Sequence, residues 1–160
     1  MNSGATAPEW DTDDTGTTIT TVRKTADETV NSSTLQNDDH LFLALAANET
    51  WYFIAYIRHI GNSTANIKAA FTVPSGATIL WSCTGAFLQA DATIGQCSQV
   101  EVSGDPAGGL GAAVANRSFT LIGTVVNGVT AGDLQFQWAQ NTTNAVDTKV
   151  LTNSYLEAHK

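Results

Sequence analysis

The chain has 160 residues, 42% of them hydrophobic and only 14% charged, with a net charge of −8 at pH 7 and an isoelectric point near 4.5. One domain is the natural count at this length, and a domain of this size buries about 70% of the surface its unfolded chain exposes, so its core requires neither metal nor disulfide. Seven Lys and Arg against fifteen Asp and Glu leave no basic footprint for a phosphate backbone, and the longest apolar stretch, Trp51 to Ile57, is far short of the ~20 residues that cross a bilayer; neither a nucleic acid nor a membrane is expected as partner. The missing charge, against a usual ~25%, is made up by Thr, Ser, Asn and Gly. Such a neutral hydroxyl and amide surface is common on β-sandwiches and on proteins packed into large assemblies.

Met1 to Thr17 carries Glu9, Asp11, Asp13 and Asp14, no basic residue, and one large apolar side chain, Trp10, beside Pro8. It lacks both periodicity and the apolar content to pack by itself, and it lacks the basic and apolar regions of a secretory signal, which predicts synthesis in a cytoplasm. Extended, it reaches about 55 Å at ~3.3 Å per residue. The reading is an extended N-terminal arm over 1–17 that docks on a neighbour through Pro8, Trp10, Asp11, Asp13 and Asp14. The commoner behaviour of such a segment is a frayed terminus.

From Thr18 onward strand patterns dominate. Thr18 to Arg23 is β-branched and alternating, Ala26 to Asn37 is polar, and Leu41 to Leu45 is apolar. A turn at Ala46 to Glu49 leads into Thr50 to Ile60, the most aromatic strand. Ile67 to Val73 alternates up to Pro74-Ser75-Gly76, a strong turn signal. Thr78 to Cys83 and Ile94 to Val102 supply the middle strands, Ser103 to Gly111 a Gly-rich loop, and Arg117 to Val126 a strand closed by Asn127-Gly128. Leu134 to Trp138, Val146 to Leu151 and Tyr155 to Ala158 complete the set, so the C-terminus reads as part of a sheet. No segment carries a 3.6-residue stripe; the glycines of Ala107 to Ala115 argue against helix there. Eight to ten short strands with frequent turns predict an all-β fold: a jelly-roll-like antiparallel β-sandwich over 18–160, preceded by the arm. Few charges are available to guard its edges, which predicts burial of edges and apolar faces in a homo-oligomer, with a trimer the best single guess.

Several ordered anchors carry a resemblance. Val22-Arg23-Lys24-Thr25-Ala26-Asp27-Glu28 is followed by Thr34-Leu35-Gln36-Asn37-Asp38-Asp39-His40-Leu41, then Ala46-Ala47-Asn48, the run Ile67 to Thr78, Gln137 to Asn141, and Ser154 to Ala158. Over residues 20 to 158 this resembles a module of structural proteins of tailed bacteriophages. The resemblance implies a virion β-module, located in the virion, with major capsid or tail proteins as partners. Related modules occur in both head and tail proteins, and the first seventeen residues lie outside the match.

Residues able to do chemistry are scarce. Asp38-Asp39-His40 invites a metal or acid–base reading, but a turn that caps the entry to Leu41 accounts for it equally, since Asp bonds its own backbone readily. Asp11, Asp13 and Asp14 superficially resemble a calcium loop, yet the Gly offset is wrong and the twelfth-position Glu is missing. His40, His59 and His159 are scattered. The Gly104 to Gly111 stretch lacks the lysine and helix start of a phosphate loop. No metal site, cofactor or catalytic residue is expected, and the chain reads as a non-enzyme. Cys83 and Cys97 are too few for a framework, and a cytosolic origin predicts two buried free thiols, although the two could also face each other across a hairpin. Trp51, Phe53, Trp81, Phe136 and Trp138 at strand spacing read as core, with a sugar-stacking platform as the other reading. Two function classes remain: a capsid decoration protein that clamps neighbouring shell subunits, and a tail or fibre module that binds a host receptor or glycan.

Overall fold

Alternation with a period of two places every second side chain of a strand on one face, and two sheets that each bury one such face make the molecule. A computed structural model describes residues 18–84, 99–110 and 115–160. In chain order its strands are β1 (Ile19–Arg23), β2 (Glu28–Val30), β3 (Gln36–Leu45), β4 (Thr50–Ile60), β5 (Ile67–Thr72) and β6 (Thr78–Thr84). They continue with β7 (Ala107–Leu110), β8 (Arg117–Val126), β9 (Gly132–Gln140), β10 (Thr148–Val150) and β11 (Tyr155–His159).

The strands form a β-sandwich of two antiparallel sheets, of seven and four strands. Strand β4 organises the larger sheet. One of its edges pairs with β8 along ten residues, and β8 carries β6 beyond it. Its other edge is shared: β11 pairs with Tyr52 to Tyr56 and leads outward to β1, while β10 pairs with His59 and Ile60 and leads to β2. The smaller sheet runs β3-β9-β5-β7. From β3 to β9 successive strands alternate between the two sheets, so each of those connections crosses from one layer to the other.

The core between the sheets is aromatic. Phe71 packs edge-on against Phe53 and Trp81, with ring centroids 4.8 and 5.5 Å away, and lies 5.4 Å from Phe136. Trp51, Phe53, Trp81, Phe136 and Trp138 are all at most 5% exposed, so these five fill the core and offer no stacking platform. The register Trp81–Gly123–Phe53 explains one glycine: a Cβ at Gly123 would lie 2.6 Å from Trp81 Cβ and 2.7 Å from Phe53 Cζ. Two large rings thus share the space above a residue with no side chain.

Strand positions at β4, β6 and β8 match the sequence pattern, and β11 sits inside the larger sheet between β1 and β4. Lys160 reinforces that end: it pairs with Glu49 and lies over the Trp51 ring at 5.1 Å, while Trp51 Nε1 donates to Glu49 at 2.9 Å. The hydrogen bonds from Lys160 and Trp51 hold the Glu49 carboxyl below its ordinary value.

The polar stretch Ala26 to Asn37 contains β2 and the start of β3; short strands gain their place from partners and not from apolar content. Three expectations need correction. The Gly-rich Ala107 to Leu110 is a strand paired with β5, whereas the expected strand Ile94 to Val102 is represented among the described residues by one bridge, Val100 to Trp81. Cys83 is not a free thiol: it is disulfide-bonded, on the buried face of β6 opposite Leu121. Compartment set the earlier expectation, whereas strand geometry decides which sulfurs come within reach. Cys97 lies outside the described residues.

Candidate interaction surface

The motif that drew a metal reading is a buried ion-pair knot. Lys24, fully buried, follows the edge strand β1 and turns inward, where its ammonium meets Asp38 at 2.7 Å and Glu28 at 2.8 Å. Asp38 Oδ1 accepts the backbone N–H groups of His40 and Leu41, each at 3.0 Å. The β3–β9 register shifts between Asn37 and Phe42, and the Asp38 carboxylate supplies local backbone donors there with an acceptor. Glu28 also accepts from Gln36 Nε2 and the Asp39 N–H. The Lys24 peptide is held by Ser154, Asn153 and Thr152. His40 reaches only the Thr25 hydroxyl through Nε2. Every acidic group of this knot is engaged by protein donors, and among the described residues no cluster of His, Cys, Asp and Glu is arranged to hold a metal ion. The capping reading of Asp38-Asp39-His40 accounts for the motif.

The other two histidines make no hydrogen bond to it among the described residues. His59 is buried against Phe119; burial, with the Arg117 charge nearby, lowers its pKa from 6.5 to about 4. His159 stacks on Tyr52 at 5.5 Å.

The feature with the character of a contact surface is the outer face of the larger sheet. Its register lines up outward side chains in rows: Leu80–Thr124–Tyr52–His159–Ile19, then Ser82–Ile122–Ile54–Glu157–Thr21, with Val126 between Thr78 and Thr50 on the flank. Tyr52, Leu80, Ile122 and Val126 are 52, 43, 43 and 49% exposed, and Ile19 is 63% exposed. Adjoining grooves of about 390 and 530 Å³ run along Tyr52, Leu80 and Thr124. Thr124 is smaller than the side chains on either side of it, which opens the floor between Leu80 and Tyr52. No charged side chain stands in the β6–β8–β4 part of these rows, although Glu101 lines the second groove beside Leu80 and Val126. A cluster of large exposed apolar groups on one face is the usual mark of an association surface, whereas single ones are ordinary.

The sequence reading expected apolar faces to be buried in an oligomer but named none of the residues of this face, because it did not place the two faces of each strand. The signal was present: Trp51 to Ile57 and Phe119 to Val126 read as nearly unbroken apolar runs, the pattern of strands with two apolar faces. The docking residues expected from the sequence, Pro8, Trp10, Asp11, Asp13 and Asp14, lie outside the described residues. Their segment joins the body at Thr18, whose carbonyl accepts the Lys160 N–H at 3.3 Å, next to Ile19 at the rim of the apolar rows. No helix among the described residues is long and apolar enough to cross a membrane. No family model matches the chain, and no curated protein matches it at a significant level.

Proposed function

We propose that this chain is a non-enzymatic structural module of a tailed-bacteriophage virion, a capsid decoration protein that clamps neighbouring shell subunits as a homo-oligomer. The observation that carries the reading is the apolar face formed by Tyr52, Leu80, Ile122 and Val126, with Glu101 lining one of its grooves. Covering their exposed halves contributes about 1 kcal/mol each, half the ~1.5–3 kcal/mol of a fully buried side chain. The four together contribute about 4 kcal/mol per copy, comparable with the low end of the cost of association, so further contacts must add to this face for a trimer to hold. The strand alternation between sheets supports a jelly-roll-like connectivity. Thr18, to which the arm Met1 to Thr17 is joined, adjoins Ile19 at the rim of this face. In this reading the arm extends across a neighbour, with Trp10 in an apolar pocket and Asp11, Asp13 and Asp14 on basic groups of the major capsid or tail proteins.

Two measurements test the assignment. Copy number per virion on a stained gel should rival that of the shell protein; a handful of copies would move the chain to the tail. Protein lacking residues 1–17 should remain folded yet fail to co-sediment with particles, and unchanged co-sedimentation would remove the arm from the account.

A further inference from the structure

At the end of β4 opposite the apolar rows, the larger sheet carries a second feature of different chemistry. Asp27, Arg58, Ile60, Asn116, Asp147 and Lys149 line a cleft of about 600 Å³, within the ~300–1,000 Å³ range of small-molecule sites. The backbone of one residue, Thr152, positions two of its charges. Arg58 Nη1 donates to the Thr152 carbonyl at 2.8 Å, and the Thr152 N–H donates to Asp27 Oδ1, also at 2.8 Å. Lys149 stands opposite Ile60 across the β4–β10 ladder, with Asp147 two residues before it. The three ion pairs among the described residues all lie elsewhere. Four charged groups therefore share one cleft without pairing with each other.

That arrangement selects a ligand. The two cations balance the two carboxylates, so a free anion meets Asp27 and Asp147 and a free cation meets Arg58 and Lys149. A neutral molecule whose groups both donate and accept hydrogen bonds satisfies all four together. Sugar hydroxyls do this, each accepting from a guanidinium or ammonium while donating to a carboxylate. The aliphatic side of the cleft, Ile60, Val146 and Leu151, suits the C–H face of a pyranose; Val146 is 54% exposed in the absence of any cover.

We propose that this cleft binds an uncharged carbohydrate, with Arg58 and Asp27 as the fixed pair and Lys149 and Asp147 as the adaptable one. The proposal goes beyond the assembly role and does not depend on where in a virion the chain sits.

The test is an amide-resolved NMR titration of the full chain with maltose, lactose, mannobiose and chitobiose, each to about 10 mM, tenfold above a millimolar dissociation constant. At least one should give saturable shifts confined to residues 27, 58–61, 116 and 146–152. The double substitution Asp147→Asn with Lys149→Gln removes two charges that hold no partner among the described residues, and it should weaken that binding about tenfold while leaving the remaining spectrum unchanged. No saturable shift with any of the four sugars, or shifts the double variant does not weaken, overturns the proposal. Tighter binding of N-acetylneuraminic acid or inorganic phosphate than of every neutral sugar overturns it as well, because the charge-balance argument would then be wrong.

Discussion

Replacing Lys24 with Met keeps the length of the side chain and removes its charge from a site where Lys24 and Asp38 side chains are both 0% exposed. Breaking a buried pair by deleting one partner costs about 3–5 kcal/mol. Here the remaining carboxylates retain other donors: Asp38 keeps the His40 and Leu41 amides, and Glu28 keeps Gln36 and Asp39. The expected loss is therefore at the lower end, about 3 kcal/mol. With a urea slope of about 2 kcal/mol per molar, the unfolding midpoint should fall by about 1.5 M. Asp38→Asn should cost less, about 1–2 kcal/mol, because its amide oxygen still accepts the two backbone N–H groups and Lys24 still holds Glu28. The double variant should cost less than the sum, with a coupling of at least ~1 kcal/mol. A Lys24→Met midpoint within about 0.3 M of wild type, or strict additivity in the double variant, would refute the view that these residues form one charge-compensated knot.

Burial holds the His59 pKa at about 4, below its ordinary 6.5, so the unfolded chain takes up more protons between those values. The stability that His59 contributes is fully present above pH 6.5 and falls by about 3 kcal/mol as pH drops to 4; His59→Leu should flatten that slope in urea melts taken across the window. Gly123→Ala has no space beside Trp81 and Phe53 and should cost about 1–3 kcal/mol, with an unchanged melting temperature counting against the packing described. Cys83 is disulfide-bonded, and loss of a disulfide typically costs about 2–4 kcal/mol, so dithiothreitol should lower the melting temperature by several degrees; no shift would mean that the disulfide does not contribute.

Much of the sandwich could be read from the chain because its long strands obey a period of two and end in strong turn residues. β4, bounded by the Asn48 turn with its positive φ of 60° and by Gly61, is the plainest case. The short strands were hidden: β2 and the Gly-rich β7 hold their places through partners in β10 and β5, which lie far from them in sequence. Asp38 could be read as a cap from its neighbours, but its pairing with Lys24 spans 14 residues and a sheet irregularity. The apolar outer face required knowing which half of each aromatic strand points inward. The cleft is less legible still, since Asp27, Arg58, Asn116 and Asp147 come from four separate parts of the chain.

The account rests most directly on the outer face of the larger sheet as an assembly surface, and light scattering on the purified chain tests it. At micromolar concentration the account predicts an oligomer, for a trimer about three times the 16.8 kDa of one chain, reduced to single-chain mass by Leu80→Glu with Ile122→Glu. A wild-type protein of single-chain mass, or an oligomer that survives both substitutions intact, would contradict it.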